Sequence, residues 1–274
     1  MNTKVGIVGY GWVGKAMNNL FPEAIIYSHG LNSEGIKINM WDKHIGELRD
    51  NINKCDIVFV CLPTPCPKKG RLDTSAVEEA ISWCTADLIV IRSTVNPGDC
   101  DMWTLKYRKH LCMQPEYLGE TPNHPLLDSI NVPFMIIGGM LPDREKLITL
   151  YTTVYNANVR IRQVTNYAAE IIKLTENRAI AFRVSEFQEL YDVCKTAKID
   201  YYTIRDAVYG DDPRMNLWWS FIYPERRGFY SKCIPKDIYA WCAYAETIGY
   251  EPKITKAILK KNQEWLKHNE LCKV

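Results

Sequence analysis

The fold class that this sequence predicts is a doubly wound, mainly parallel α/β sheet, followed by a long connecting helix and a small all-α domain. Three observations carry the prediction. Short apolar runs bounded by turn residues alternate with helix-like segments over residues 1–164, the rhythm of strand-helix-strand units. Residues 5–20 set an apolar strand directly before a G-x-G-x-x-G run and a helix, the setting in which such glycines hold a pyrophosphate. Residues 166–195 contain neither proline nor glycine and read as one uninterrupted helix.

In order, residues 5–8 form the first strand. Gly9-Tyr10-Gly11-Trp12-Val13-Gly14 make the loop, and 15–20 the helix. The first glycine permits the turn, the second lets phosphate approach the backbone, and the third lets helix and strand pack closely. Residues 24–27 make the second strand, which ends in Ser28-His29 rather than in a carboxylate. A further strand is expected at 36–41, ending at Asp42, beyond the usual spacing of about 20 residues from the glycines. The choice between NAD and NADP stays open at this point. Strands follow at 56–61 and 87–92 with a helix at 74–84 between them, then a helix, a short strand at 110–113, a strand at 134–137, a helix at 142–154 and a last strand at 159–164. Loops after parallel strands bind ligands, which singles out Leu62-Pro63-Thr64-Pro65, Ser93-Thr94 and Gln114-Pro115-Glu116-Tyr117-Leu118-Gly119-Glu120.

The second domain, 165–274, starts with the long helix, capped by Thr165 or Asn166. Thirty residues extend about 45 Å at 1.5 Å each, and apolar side chains around much of its circumference suggest burial on two sides, one of them against a second subunit. Lys173 and Asn177 share one face of it, a turn apart. Helices are expected at 200–209, 236–248 and 252–271.

Lysine and arginine number 34 against 32 acidic residues, so no general attraction to nucleic acid or to an anionic membrane is expected. With no apolar run of membrane-spanning length and no leader-like start, the protein is expected in the cytoplasm. There the ten cysteines remain thiols. No pair has C-x-x-C spacing and the histidines are scattered, so no metal site is expected.

The run Gly228-Phe229-Tyr230-Ser231-Lys232-Cys233-Ile234-Pro235-Lys236-Asp237 puts a thiol among two amines and a carboxylate. Neighbouring cations favour the thiolate, the reactive form.

Assembled, these residues resemble the nucleotide-sugar 6-dehydrogenase family, the UDP-glucose and GDP-mannose dehydrogenases. The likeness runs in order through the Gly9 to Gly14 loop, Pro63-Thr64-Pro65, Ser93-Thr94-Val95, Pro115-Glu116-Tyr117-Leu118, Ala169-Glu170 with Lys173, Leu174 and Asn177, Asp212-Pro213-Arg214, and the run from Gly228 to Asp237. It implies a Rossmann-type domain at 1–164 and NAD-dependent oxidation of a sugar C6 alcohol to a carboxylate in two hydride transfers, through a cysteine thiohemiacetal and thioester. It makes Cys233 the nucleophile and Lys173 and Asn177 the oxyanion stabilisers. Asp237 and Glu116 would handle protons, and Thr94 would position the hydrolytic water. Pro63, Thr64, Thr94, Glu120 and Ser28 would face the cofactor. Tyr117, Leu118, Arg214 and Gly228 would join Glu116, Lys173 and Asn177 at the substrate, Arg214 across the boundary of a homodimer built on 166–195. The sequence departs from the family in three places: Ser28 stands for an acidic ribose ligand, Tyr230-Ser231-Lys232 replaces a glycine-rich run, and the family's third domain would start where the sequence stops. Two other functions remain compatible with the residues: a two-electron dehydrogenase of the hydroxyacid or 6-phosphogluconate type, and a non-catalytic dinucleotide or sugar-nucleotide binding protein.

Overall fold

A computed structural model describes residues 3–28, 45–67, 70–119 and 132–271, with the side chains of 45–48 and 270–271 left out. His29, the expected strand at 36–41, Asp42 and Glu120 lie outside the described residues. The chain separates into two compact units, residues 1–67 with 72–173 and residues 68–71 with 174–274.

In the first unit, β1 (Val5–Val8), β2 (Ile25–Tyr27), β3 (Ile57–Val60), β4 (Leu88–Ile91) and β5 (Leu111–Met113) form one sheet in the order β2-β1-β3-β4-β5. All its pairings are parallel. A second parallel pair joins β6 (Phe134–Gly138) to β7 (Arg160–Val164). The connecting helices are α1 (Trp12–Leu20), α2 (Ile45–Ile52), α3 (Ser75–Trp83), α4 (Asp99–Tyr107) and α5 (Leu141–Tyr151).

The central strands of the five-stranded sheet are apolar because both of its faces are covered. Val58, Val60, Ile89 and Ile91 pack with Val77, Ile81 and Trp103 of α3 and α4. Their chain neighbours Ile57, Phe59, Leu88 and Val90 pack on the opposite face with Met17 and Leu20 of α1 and Leu147 and Tyr151 of α5. Each such buried side chain contributes roughly 1.5–3 kcal/mol. Strand order reverses between β1 and β3, and the crevice at such a reversal is where open sheets take ligands.

Helix α6 (Asn166–Ala197) runs 32 residues, and the division between units falls inside it, after Lys173. Its cap is Thr165, whose hydroxyl accepts from the Ala168 N–H at 3.1 Å. Asn166 does other work: its amide donates to the Leu111 carbonyl at 3.0 Å and accepts from the Met113 N–H at 2.7 Å, pairing the outer edge of β5.

In the second unit, the helix expected at 200–209 begins as α7 (Tyr201–Arg205), capped by Asp200, and widens into a π-helical turn at Asp206–Gly210. Helices α8 (Ile234–Thr247) and α9 (Lys253–Leu271) follow. Ala181 of α6, Phe229, Ile238 and Cys242 of α8 and Leu259 of α9 form one core cluster, and Phe187, Cys194, Tyr201 and Ile222 another.

Candidate active site

The glycine loop leaves β1 at the strand-order reversal. Gly9 has φ +96°, and a Cβ there would lie 2.5 Å from the Cys61 carbonyl oxygen. A Cβ on Gly14 would lie 2.0 Å from the Gly9 carbonyl oxygen, so α1 reaches β1 only with glycine at that position. Around Gly11 a Cβ would meet nothing within 4 Å. That space opens at the start of α1, which has neither a side-chain cap nor an acidic residue in its first turn. An uncapped helix amino terminus beside a glycine with open space fits a pyrophosphate, so the residues present suit a dinucleotide. Helix α1 begins at Trp12, earlier than the sequence reading put it, because Gly11 serves as its cap residue in an extended conformation. Trp12 is exposed, and the Tyr10 hydroxyl accepts from the Asn18 amide at 3.1 Å. Ser28 is half-buried just past β2.

The loops after β3 and β4 are stitched together. Ser93 Oγ accepts from the Leu62 N–H at 2.8 Å, and the Thr64 hydroxyl donates to the Thr94 carbonyl at 2.6 Å. Thr64 is buried and its neighbour Pro63 exposed. Asn96 pairs with both backbone groups of Leu72, and Asp99 accepts from Asn96 and Thr74. Glu170 of α6, fully buried, closes the arrangement: its carboxylate accepts from the N–H groups of Gly98 at 2.6 Å and Cys100 at 2.8 Å, capping α4. Burial, partly opposed by those donors, pushes its carboxyl up to about 7.

Glu116 is held on both oxygens. Oε1 accepts from the N–H groups of Tyr117 at 2.7 Å and Leu118 at 2.6 Å, and Oε2 pairs with the Arg92 guanidinium. The buried Arg92 also donates to the Gln114 carbonyl at 3.3 Å; its guanidinium is held further up in pKa, with Glu116 the foremost charge raising it against burial. Arg92, Gln114, Glu116, Tyr117 and Leu118 line a small cavity with Phe134. The Lys173 ammonium lies 4.9 Å from the centre of the Tyr117 ring, and Tyr117 packs on Phe134 at 5.1 Å.

In the second unit, Cys233 is the cap residue of α8 and the one exposed cysteine among the described residues. Asp237, one turn along, is fully buried. One of its oxygens accepts from the Asn177 amide and the other from Lys236 at 2.6 Å. The Lys236 amine pairs with Asp237, Lys232 is exposed, and the helix amino terminus at Cys233 carries a partial positive charge. Burial raises the thiols of Cys55 and Cys242 to about 11 and those of Cys61 and Cys112 to about 12, which leaves them poor nucleophiles at neutral pH. Arg214 is exposed and forks onto Asp212, with contacts of 2.9 and 2.6 Å. Gly228 has φ +75°.

Two profiles describe this combination of parts. The NAD binding domain of the UDP-glucose/GDP-mannose dehydrogenase family matches residues 23–157, and the central domain of the same family matches residues 167–264. The chain belongs to the UDP-glucose/GDP-mannose dehydrogenase family. It is 26% identical over 226 residues to the UDP-glucose 6-dehydrogenase of Rickettsia typhi, covering 78% of this chain and 50% of that protein. It is 26% identical over 233 residues to the UDP-glucose 6-dehydrogenase of Pseudomonas aeruginosa, again covering 78% and 50%. The chain thus spans about half the length of these relatives. In fold it is similar to a UDP-glucose dehydrogenase from Pyrobaculum islandicum, with TM-score 0.77 and 21% identity over 96% of this chain and 68% of that one. A GDP-mannose dehydrogenase from Pseudomonas aeruginosa gives TM-score 0.63 and 21% identity over 97% and 69%. The family's cofactor domain is an NAD binding domain, which supports NAD as the dinucleotide.

Glu170, Arg92, Asn96, Arg227, Asn262 and Asn269 were not assigned roles from sequence. One signal was available for two of them: Asn262 and Asn269 fall on the apolar stripe of α9 that carries Leu259 and Trp265, where a polar residue needs a partner.

Proposed function

We propose that the protein oxidises the C6 alcohol of a nucleotide sugar of the UDP-glucose type to the carboxylate, reducing two NAD per sugar. When bound at the glycine loop, NAD supplies the hydride acceptor. Cys233 Sγ adds to the carbon of the intermediate aldehyde, and the resulting thiohemiacetal is oxidised to a thioester. Water then breaks the carbon–sulfur bond, releasing the carboxylate and the thiol. Lys173 contributes a positive charge and Asn177 an N–H donor to the oxygen on which negative charge develops. Asp237 fixes the Asn177 amide so that its orientation is set before substrate arrives. Thr94 places the attacking water, and Glu116 handles protons in the reaction. The substrate-facing residues are Glu116, Tyr117, Leu118, Gly228 and Arg214, the last reaching the substrate of a partner subunit in a homodimer formed along α6. A thiol nucleophile suits a reducing cytoplasm.

The reading is supported above all by one observation: the exposed thiol at the start of α8 stands one turn from a buried carboxylate that grips Asn177. The test is stoichiometry. Two NADH per sugar consumed are expected, with turnover lost and NAD binding kept in Cys233→Ser. One NADH per sugar would leave a two-electron dehydrogenase in its place.

A further inference from the structure

The segment that leads to Cys233 is gripped from one side by a helix acting as a strand. The Phe229 N–H donates to Asn262 Oδ1 at 2.7 Å, and the Asn262 amide donates to the Phe229 carbonyl at 2.8 Å. Two residues earlier the pattern repeats: the Arg227 N–H donates to Asn269 Oδ1 at 2.8 Å, and the Asn269 amide donates to the Arg227 carbonyl at 2.8 Å. Two asparagines two turns apart on α9 thus meet the backbone on both sides of Gly228. Gly228, between the rungs, is obliged to be glycine: a Cβ there would stand 2.4 Å from Asn262 Oδ1, and its φ is +75°.

Neither rung is loose. The buried Arg227 guanidinium donates to the Gln188 carbonyl at 2.9 Å and to Asp192 at 2.7 Å, and the Trp265 indole of α9 donates to the other Asp192 oxygen at 2.8 Å. Asn262, Asn269 and Phe229 are themselves buried. Beyond the clasp only three residues precede Cys233. The Ser231 hydroxyl, two residues before the thiol, accepts from the Ile234 N–H just after it at 3.1 Å, and on the far side Asp237 is locked by Asn177 and Lys236. The thiol therefore sits between two fixed points four residues to either side.

We propose that Asn262 and Asn269 of α9 are positioning residues for the reaction, setting the place of the Cys233 thiol by clamping the backbone at Phe229 and Arg227. The inference rests on Cys233 as the nucleophile. A displacement of about an ångström at a reacting atom costs on the order of 100-fold in rate, so the clasp controls kcat and leaves dinucleotide affinity alone.

The experiment uses the full chain with three variants. Asn262→Gln keeps the amide but moves it outward by about 1.5 Å, one carbon–carbon bond. Asn262→Ala removes the inner rung and Asn269→Ala the outer one. Folded fraction is followed by circular dichroism, NAD affinity by calorimetry, turnover by kcat and KM, and the thiol by iodoacetamide labelling with peptide mapping. Asn262→Gln is expected to stay folded, to bind NAD as the parent does, and to lose at least about 10-fold in kcat with a changed labelling rate at Cys233. Asn269→Ala is expected to show the same pattern more weakly. A folded Asn262→Gln whose kcat and Cys233 labelling both stay within about two-fold of the parent overturns the proposal, as does a loss of kcat that follows the folded fraction and NAD affinity down together. If Asn262→Ala does not fold, the glutamine variant and Asn269→Ala still decide. Should the unmodified protein turn over no nucleotide sugar, the dehydrogenase reading fails by itself, and Cys233 labelling across the variants still supports or overturns the clasp.

Discussion

Glu170 makes the stability of the first unit depend on pH in a direction opposite to most carboxylates. Its carboxyl is raised from an ordinary 4.5 to about 7, with burial the largest cause and the Cys100 and Gly98 donors pulling against it. Because the folded value lies above the unfolded one, the folded state holds the extra proton between them. The stability this group contributes is complete below about 4.5 and is lost as pH rises through about 7. At 1.36 kcal/mol per pH unit the loss amounts to about 3 kcal/mol. The perturbation is Glu170→Gln, which has no proton to lose, and every other titrating group is common to both proteins. Urea unfolding at intervals from pH 5 to 8 is expected to show the stability of the parent, relative to the variant, falling by about 2–3 kcal/mol across the range. At the upper end the parent keeps two charge-assisted bonds to the start of α4, whereas the glutamine faces one of those N–H groups with its own donor. Parallel stability curves, or a relative stability that rises with pH, would refute the argument.

Three further outcomes follow from the geometry. Gly14→Ala drives a methyl into the Gly9 carbonyl at 2.0 Å and is expected to cost about 1–3 kcal/mol of stability; Gly11→Ala meets nothing within 4 Å and is expected to keep the melting temperature while weakening NAD binding, so calorimetry with thermal melts separates the two. Arg92→Met strands the Glu116 carboxylate in a buried site and is expected to cost roughly 3–5 kcal/mol, most of it recovered in Arg92→Met with Glu116→Gln; a double variant no more stable than the single one would contradict the pairing. Iodoacetamide at neutral pH is expected to label Cys233 before Cys55, Cys61, Cys112 and Cys242, whose thiols burial holds at about 11 or 12, and peptide mapping that places Cys233 last would count against it.

Much of the fold was legible because a parallel sheet covered on both faces announces itself. Ile57–Val60 and Leu88–Ile91 are apolar at every position, and turn residues bound them. The family was legible for a different reason, since short motifs in fixed order resist coincidence. Helix ends were less so: Thr165 and Asn166 are both good caps, and only the presence of β5 beside them decided that Thr165 caps while Asn166 reaches sideways. The supporting polar contacts were least legible. Glu170 acts on a backbone 72 residues away, and Asn262 on one 33 residues away. Such bonds depend on which backbone groups the folded chain leaves without partners, and no local pattern encodes that. The same limit applies to Lys236, which looked like a neighbour of the thiol in sequence and is turned to Asp237 in space.

Asn166 also bears on how the protein behaves among other copies of itself. β5 is the outer strand of the five-stranded sheet, and an outer strand with unpaired N–H and C=O groups is a template for another strand, including one from a different molecule. A single side-chain amide fills two of those positions, so among the described residues the outer edge of β5 is met by a residue of a helix and not by a further ladder. Among the described residues β6 and β7 pair only with each other. Losing this one amide would leave an adhesive edge in the interior of the fold, exposed each time the chain opens, and aggregation during refolding is where its absence would be felt first.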